Sequence, residues 1–360
     1  MDALSQLTIV IPTYGRPVYV RRQVEFWKDL PVQVVIADGG TDEFELGQVT
    51  GEASFKYLNS HESFYSRMLD VVSHVNTEYV AVLGDDDFFS PDGLRRCIKR
   101  LDRDTSIVGC VGRSVRFFYQ AGRILAEQRD PESSEFPTDV VTGLQRLHSM
   151  YHPGKIGALF YGVYRSEPWK EVVSATYSSQ FATGYIYDTI IRTLLTYRGP
   201  IGIEDSLMWY CSSENPPIKS APGMERRVEL LEWLTIPEFE AERNSCRTLL
   251  IKIVSAVGND DLRNIEPAID FVLAELRRRY ELKAQISMGM AARARRVVMA
   301  FTPRWIKRLG KRIMPRALRR QLDWNVQEIS QVATQLRSGG IDVNDQDLEQ
   351  ISLLVRATHA

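Results

Sequence analysis

Thr77-Glu78-Tyr79-Val80-Ala81-Val82-Leu83-Gly84-Asp85-Asp86-Asp87-Phe88-Phe89 is the stretch that decides how this chain folds. Its apolar half, Tyr79 to Leu83, is short, β-branched and aromatic, which predicts a strand covered on both faces. Three carboxylates follow at once. They stand just past the strand's carboxyl end, where open α/β sheets place their ligands. Adjacent aspartates repel one another, and a cation or donor hydrogen bonds offset that repulsion.

Working outward, Leu7 to Ile11 reads as a first strand stopped by Pro12, and Val18 to Leu30 has helical spacing through Val20, Val24 and Trp27. Val32 to Ala37 is a second buried strand, ending at Asp38-Gly39-Gly40-Thr41-Asp42. Phe55 to Leu58 is a third strand, and Phe64 to Val75 a helix. After Pro91 a helix runs to about Leu101, then Ile107 to Tyr119 is strand-like, and so is Ile156 to Tyr164. Tyr185 to Tyr197 is helical, and the Asn215-Pro216-Pro217 run closes the domain. Strands alternating with helices predict an α/β fold with a mainly parallel, doubly wound sheet. From Glu225 onward the pattern is all helix, including Trp324 to Leu336 and Asp345 to Ala357. The expected division is a catalytic-type domain over 1–222 and a helical region over 223–360.

The chain has 360 residues, 44% hydrophobic and 25% charged, with a formal net charge of −1. That balance fits a soluble globular protein and gives no sign of a nucleic-acid partner. Four widely spaced cysteines without a C-x-x-C pair fit buried free thiols in a reducing cytoplasm. The opening residues lack a basic segment followed by an apolar core, so no secretory signal is expected.

Three motifs, Thr8 to Arg16, Asp38 to Asp42 and Gly84 to Asp87, resemble in order and spacing the landmarks of family 2 glycosyltransferases with the GT-A fold. The resemblance covers roughly residues 5 to 210. It implies a metal-dependent, inverting transfer of a sugar from a nucleotide-diphosphate donor to a hydroxyl acceptor. A divalent cation, Mn²⁺ or Mg²⁺, offsets charge on the leaving diphosphate, and hard cations prefer carboxylate oxygens. Asp85 and Asp87 have D-x-D spacing and are the first metal candidates. In the family's Asp-x-Asp-Asp register, Gly84 replaces the first acid and Asp86 joins Asp87, so Asp87 is a ligand either way.

By the same resemblance, Thr13, Tyr14 and Arg16 line the nucleotide pocket, Tyr14 stacking on a base and Arg16 meeting a phosphate. Asp38 accepts hydrogen bonds from the base or ribose; the bland alternative is a turn cap. Arg67 keeps the Arg of a family Ala-Arg-Asn segment and is expected at the diphosphate, against the alternative of a surface ion pair. Asp85 and Asp86 complete the donor-binding set. Asp188, in Tyr185 to Arg192, holds the place of the general base that takes the acceptor's hydroxyl proton; a helix N-cap is its alternative. Tyr187 stands where the family usually has Glu. No histidine follows Asp188 until His359, so the family's added histidine ligand is missing. His148 and His152 are four apart, a weak zinc pattern.

Between Lys283 and Leu322 there are twelve Lys/Arg and no Asp or Glu. Over 304–322, Trp305, Ile306, Leu309 and Ile313 recur at three and four, with basic residues on the other face. Such a basic amphipathic helix carrying Trp predicts contact with an anionic membrane surface through 293–322. The alternative is a basic face folded onto the acidic remainder. The expected location is cytoplasmic, at the membrane's inner face, with a lipid-linked or surface-polysaccharide acceptor. Two other functions compete: a nucleotidyltransferase-like enzyme, against which the first strand's Pro12-Thr13-Tyr14 ending counts, and a non-catalytic nucleotide-binding scaffold.

Overall fold

The computed structural model describes residues 2–41, 44, 46–47, 49–129, 142–150, 159–215, 228–258, 260–301 and 326–359, the side chains of 283 and 286–301 excepted. The segment 304–322, expected from sequence to be a basic helix, and His152 lie outside them.

Four parallel strands form one half of the sheet, in the order β3 (Ser54–Asn59), β2 (Gln33–Asp38), β1 (Leu7–Thr13), β4 (Tyr79–Val82). Crossover helices α1 (Pro17–Trp27) and α2 (Phe64–Val72) sit between them in sequence. Strand alternation explains the two layers of core. Ile9 and Ile11, Val34 and Ile36, and Tyr79 and Ala81 point to one face, while Val10, Val35, Val80 and Val82 point to the other. Both sets are buried, which is why the strands read as continuous apolar runs.

Beyond β4 the sheet becomes mixed. β8 (Val163–Arg165) pairs antiparallel with β4 and with β6 (Gly109–Gln120), and β6 pairs antiparallel with β7 (Arg123–Arg129). Strand β9 (Ile201–Ser212) runs parallel to β6 and antiparallel to the short β5 (Phe88–Phe89). The expected strand over 156–164 is confined, among the described residues, to the last of these positions, with Leu159–Tyr161 a 3-10 turn. α3 (Pro91–Arg103), capped by Ser90, crosses to β6, and α4 (Gly143–Met150), α5 (Ser166–Tyr177) and α6 (Tyr185–Arg198) cover the face of Val10 and Val80.

The region after 223 is not all helix. α7 (Leu230–Thr235), α8 (Glu240–Val257) and α9 (Leu262–Phe301) extend the core of α5 and α6 through Trp233, Leu250 and Ile269. Gln327–Glu328 then forms β10, antiparallel to β7 at the sheet's edge. Helices α10 (Ile329–Ser338) and α11 (Asp345–Thr358) cover the opposite face through Val332, Leu336, Ile351 and Val355. Asp347 of α11 accepts from the Ser90 hydroxyl and the Asp92 amide, so this last helix also braces the start of α3.

Candidate active site

Strand β4 delivers the acidic turn. Leu83 still donates to the Val10 carbonyl, at 2.9 Å, and the chain turns with the Asp87 amide on the Gly84 carbonyl, at 3.1 Å. Helix α1 holds the turn's backbone. Gln23 Nε2 donates to the carbonyls of Asp85 (3.0 Å) and Asp87 (2.7 Å), and Arg22 Nη2 to that of Asp86 (2.7 Å).

The three carboxylates diverge. Asp85 accepts from Thr13 Oγ1 at 2.7 Å and from Arg16 Nη1 at 3.1 Å, which occupies both its oxygens. Asp86 accepts from Asn215 Nδ2 at 3.0 Å and lies 3.7 Å from Arg16. Asp87 faces β9, where Trp209 Nε1 (3.0 Å) and the Ser212 amide (2.7 Å) donate to its two oxygens. Burial, then the charge of Asp86, pushes Asp85 up to about 6 and Asp87 up to about 7. Trp209 is itself held by its neighbours, stacked on Tyr161 at 3.9 Å and with the Arg129 guanidinium over its ring at 4.4 Å.

Gly84 lies close against two of these acids. A Cβ there would lie 3.0 Å from Asp87 Oδ2 and 3.6 Å from Asp86 Oδ1. Two carboxylates together with substrate phosphates are a common ligand set for a divalent cation. Among the described residues, no three His, Cys, Asp or Glu side chains form a ligand set by themselves. His148 packs its ring on Phe271 of α9 at 4.3 Å.

Next to the acidic turn, Asp38 ends β2 with its carboxylate buried. Oδ1 accepts from the amides of Gly40 (2.7 Å) and Gly15 (3.3 Å), and Oδ2 from Tyr57 Oη (2.8 Å). Gly15 has φ +59°, in the left-handed region, which lets the Thr13-Tyr14-Gly15 turn bring its amide to Asp38. Arg67 of α2 is buried below this turn and donates to the carbonyls of Thr13 (2.8 Å) and Ala37 (2.7 Å). Burial lowers its pKa, offset by the nearby Asp38 charge. A Cβ on Gly39 would lie 2.5 Å from the Arg67 guanidinium carbon, so that glycine makes the close approach possible. Thr13, Tyr14, Arg16, Asp38 and Arg67 thus meet at the carboxyl ends of β1 and β2, Tyr14 half-buried at the rim.

Asp188 lies across a cavity of about 310 Å³ whose lining includes Gly84, Tyr65, Tyr161, Tyr177 and Asp188. It sits one turn inside α6, whose N-cap is Gly184, so it is not the cap. Asp188 is exposed while Tyr187 and Thr189 beside it are buried. Tyr187, at the family's Glu position, is a brace. Its hydroxyl accepts from the Phe181 amide (2.9 Å) and donates to the Ser179 carbonyl (3.0 Å), and its ring packs on those of Tyr65 (4.7 Å) and Tyr177 (5.3 Å). Tyr161 links the two ends: burial, then the charges of Asp87 and Asp188, holds its phenol well above the ordinary range.

Arg22, Gln23, Tyr161, Trp209, Ser212 and Asn215 were not singled out from sequence. A Gln and an Arg on the inward face of α1 break the usual apolar pattern, and that was the available signal.

Residues 8–152 match the model of Glycosyl transferase family 2. Among solved structures, the chain is similar to S. aureus TarS 1–349 in complex with UDP-GlcNAc, at 15% identity and TM-score 0.43, covering 75% of this chain and 71% of that one. It is also similar to S. aureus TarS 1–349, at 14% identity and TM-score 0.41, covering 77% of this chain and 92% of that one. A search of curated proteins found no match.

Proposed function

We propose that this chain, whose residues 8–152 match the model of Glycosyl transferase family 2, is a glycosyltransferase that moves a sugar from a nucleotide-diphosphate donor to a hydroxyl acceptor, with inversion at the anomeric carbon. The observation that carries the reading is the single cavity lined by Gly84 of the acidic turn and by Asp188.

The donor's nucleoside lies along Thr13, Tyr14 and Asp38, with Arg16 toward its phosphates. Asp85 serves as the counter-charge that aims Arg16, whose Nη1 it meets at 3.1 Å. Asp86 and Asp87 are the pair suited to hold a divalent cation, because Asp86 Oδ1 and Asp87 Oδ2 both lie beside Gly84. When bound, Mn²⁺ or Mg²⁺ supplies positive charge against the departing diphosphate. Arg67 acts from beneath by holding the Thr13 and Ala37 carbonyls, and so the ends of β1 and β2.

Asp188 accepts the acceptor's hydroxyl proton as that oxygen attacks the anomeric carbon and the bond from that carbon to the phosphate oxygen breaks. Aromatic walls exclude water from this end of the cavity and so limit hydrolysis of the donor. The acceptor is a glycan or lipid-linked hydroxyl compound, brought to the cytoplasmic membrane face by 293–322.

A thermal-shift screen of nucleotide sugars, with and without Mn²⁺ or Mg²⁺, tests the reading. A cation-dependent rise with one donor is expected, because a ligand of the native state raises the melting temperature. Asp87→Ala should abolish both that rise and transfer while keeping the fold. Full transfer in this variant overturns the assignment.

A further inference from the structure

The acidic turn is held from outside by side chains that lead to the end of α11. Arg22 is buried, its side chain 2% exposed, and its Nη1 meets Glu214 Oε2 at 3.1 Å while Nη2 holds the Asp86 carbonyl. Its guanidinium otherwise contacts the rings of Tyr19 (4.5 Å) and Phe88 (4.8 Å), and its Nε is buried without a hydrogen-bond partner among the described residues. Glu214 is therefore the group that compensates this buried cation.

Glu214 is equally buried and lies just past β9, in a segment with no regular structure of its own. Its Oε2 also accepts from Ser212 Oγ at 3.1 Å, and the Ser212 amide is the donor on Asp87 Oδ1. The neighbouring Asn215 is the donor on Asp86 Oδ2. Glu214 Oε1 is met by His359 Nε2, 145 residues away in sequence. The imidazole lies flat on Tyr119 of β6, with centroids 4.5 Å apart and planes 3° apart.

We propose that His359 is a positioning residue for the donor site. By fixing Glu214 it holds Arg22 on the Asp86 carbonyl and the 212–215 segment on the Asp86 and Asp87 carboxylates. This rests on the glycosyltransferase reading. A buried ion pair adds little net stability, because desolvation offsets its attraction, but it does impose one geometry on the groups that share it. His359 is the partly exposed end of the chain of contacts, its side chain 29% exposed, so its removal leaves the core intact while freeing one oxygen of Glu214.

The test uses the full chain and the variants His359→Ala, His359→Gln and Glu214→Gln. Amide hydrogen exchange needs no donor. His359→Ala should speed exchange about tenfold in peptides spanning 84–90 and 209–215, with β1 and β2 unchanged, the size expected for losing one charge-assisted hydrogen bond. Donor KM should rise by about tenfold, with kcat changed less. His359→Gln keeps a donor for Glu214 and should restore both readouts. Adding His359→Ala to Glu214→Gln should change little further. Unchanged exchange and KM in His359→Ala overturn the proposal, as does faster exchange spread evenly over all peptides. Selective loosening in a chain that transfers no sugar supports the positioning contact and defeats the functional reading. Normal transfer with normal exchange in His359→Ala defeats the contact alone.

Discussion

At the carboxyl ends of β2 and β4, Asp38, Asp85 and Asp87 are buried and every carboxylate oxygen has a donor within the protein. At the helix end Asp188 stands exposed beside a stack of tyrosine rings. The difference suits the two chemical tasks proposed for these groups. A group that holds phosphates or a cation needs a fixed position, since reorientation during reaction costs energy. A group that takes a proton needs access to an arriving hydroxyl and freedom to change charge. The acids at the first end are thus part of a rigid frame, while Asp188 is mounted on a helix whose aromatic neighbours are the rigid part.

The contrast can be broken most directly at Asp188. Asp188→Asn should lower kcat by at least about a hundredfold while donor affinity stays within about twofold. A parallel loss of donor affinity, read by titration calorimetry, would erase the division of labour. Trp209→Phe acts at the other end and should reverse the pattern. It removes one donor on Asp87 and should weaken cation-dependent donor binding by about tenfold. Tyr187→Phe keeps the ring stack but leaves the Phe181 amide and Ser179 carbonyl without their partner, at a cost of about 1–3 kcal/mol in denaturant unfolding.

The pH response sharpens the same comparison. Folding raises Asp85 to about 6 and Asp87 to about 7. Above the ordinary carboxylate range and below about pH 7, the folded chain keeps protons that the unfolded chain has lost, so stability falls as pH rises through this window. In chelator, the melting temperature should therefore fall between pH 5 and 7 and level off above. Asp87→Asn should flatten most of that slope, whereas Asp188→Asn should leave it in place.

The parallel half of the fold was legible because β1, β2 and β4 are buried on both faces and carry short unbroken apolar runs, Ile9 to Ile11, Val34 to Ala37 and Tyr79 to Val82. The motif residues were legible because each follows a strand end. Strand β9 was not. Glu204, Asp205 and Ser206 interrupt its apolar pattern, and its pairing with β6 shifts register between Val111 and Ser114. With β9 went Trp209 and Ser212, the donors that fix Asp87. Gln327–Glu328 was read as helix because two polar residues before an apolar helical stripe give no period-2 signal; their strand pairing is set by β7. Arg67 had been weighed as a phosphate contact or a surface ion pair, and it lies buried on backbone carbonyls instead, because Gly39 leaves room for it.

Trp209 has one more consequence. Its indole N–H points at Asp87, and optical excitation moves electron density from the pyrrole ring toward the benzo ring. A negative carboxylate at the pyrrole end therefore draws the emission to the red, and neutralising it sends the emission to the blue. The molecule carries its own optical gauge of charge at the acidic turn: a blue shift on adding Mn²⁺ or Mg²⁺, or on acidifying through pH 7, is expected, and should vanish in Trp209→Phe.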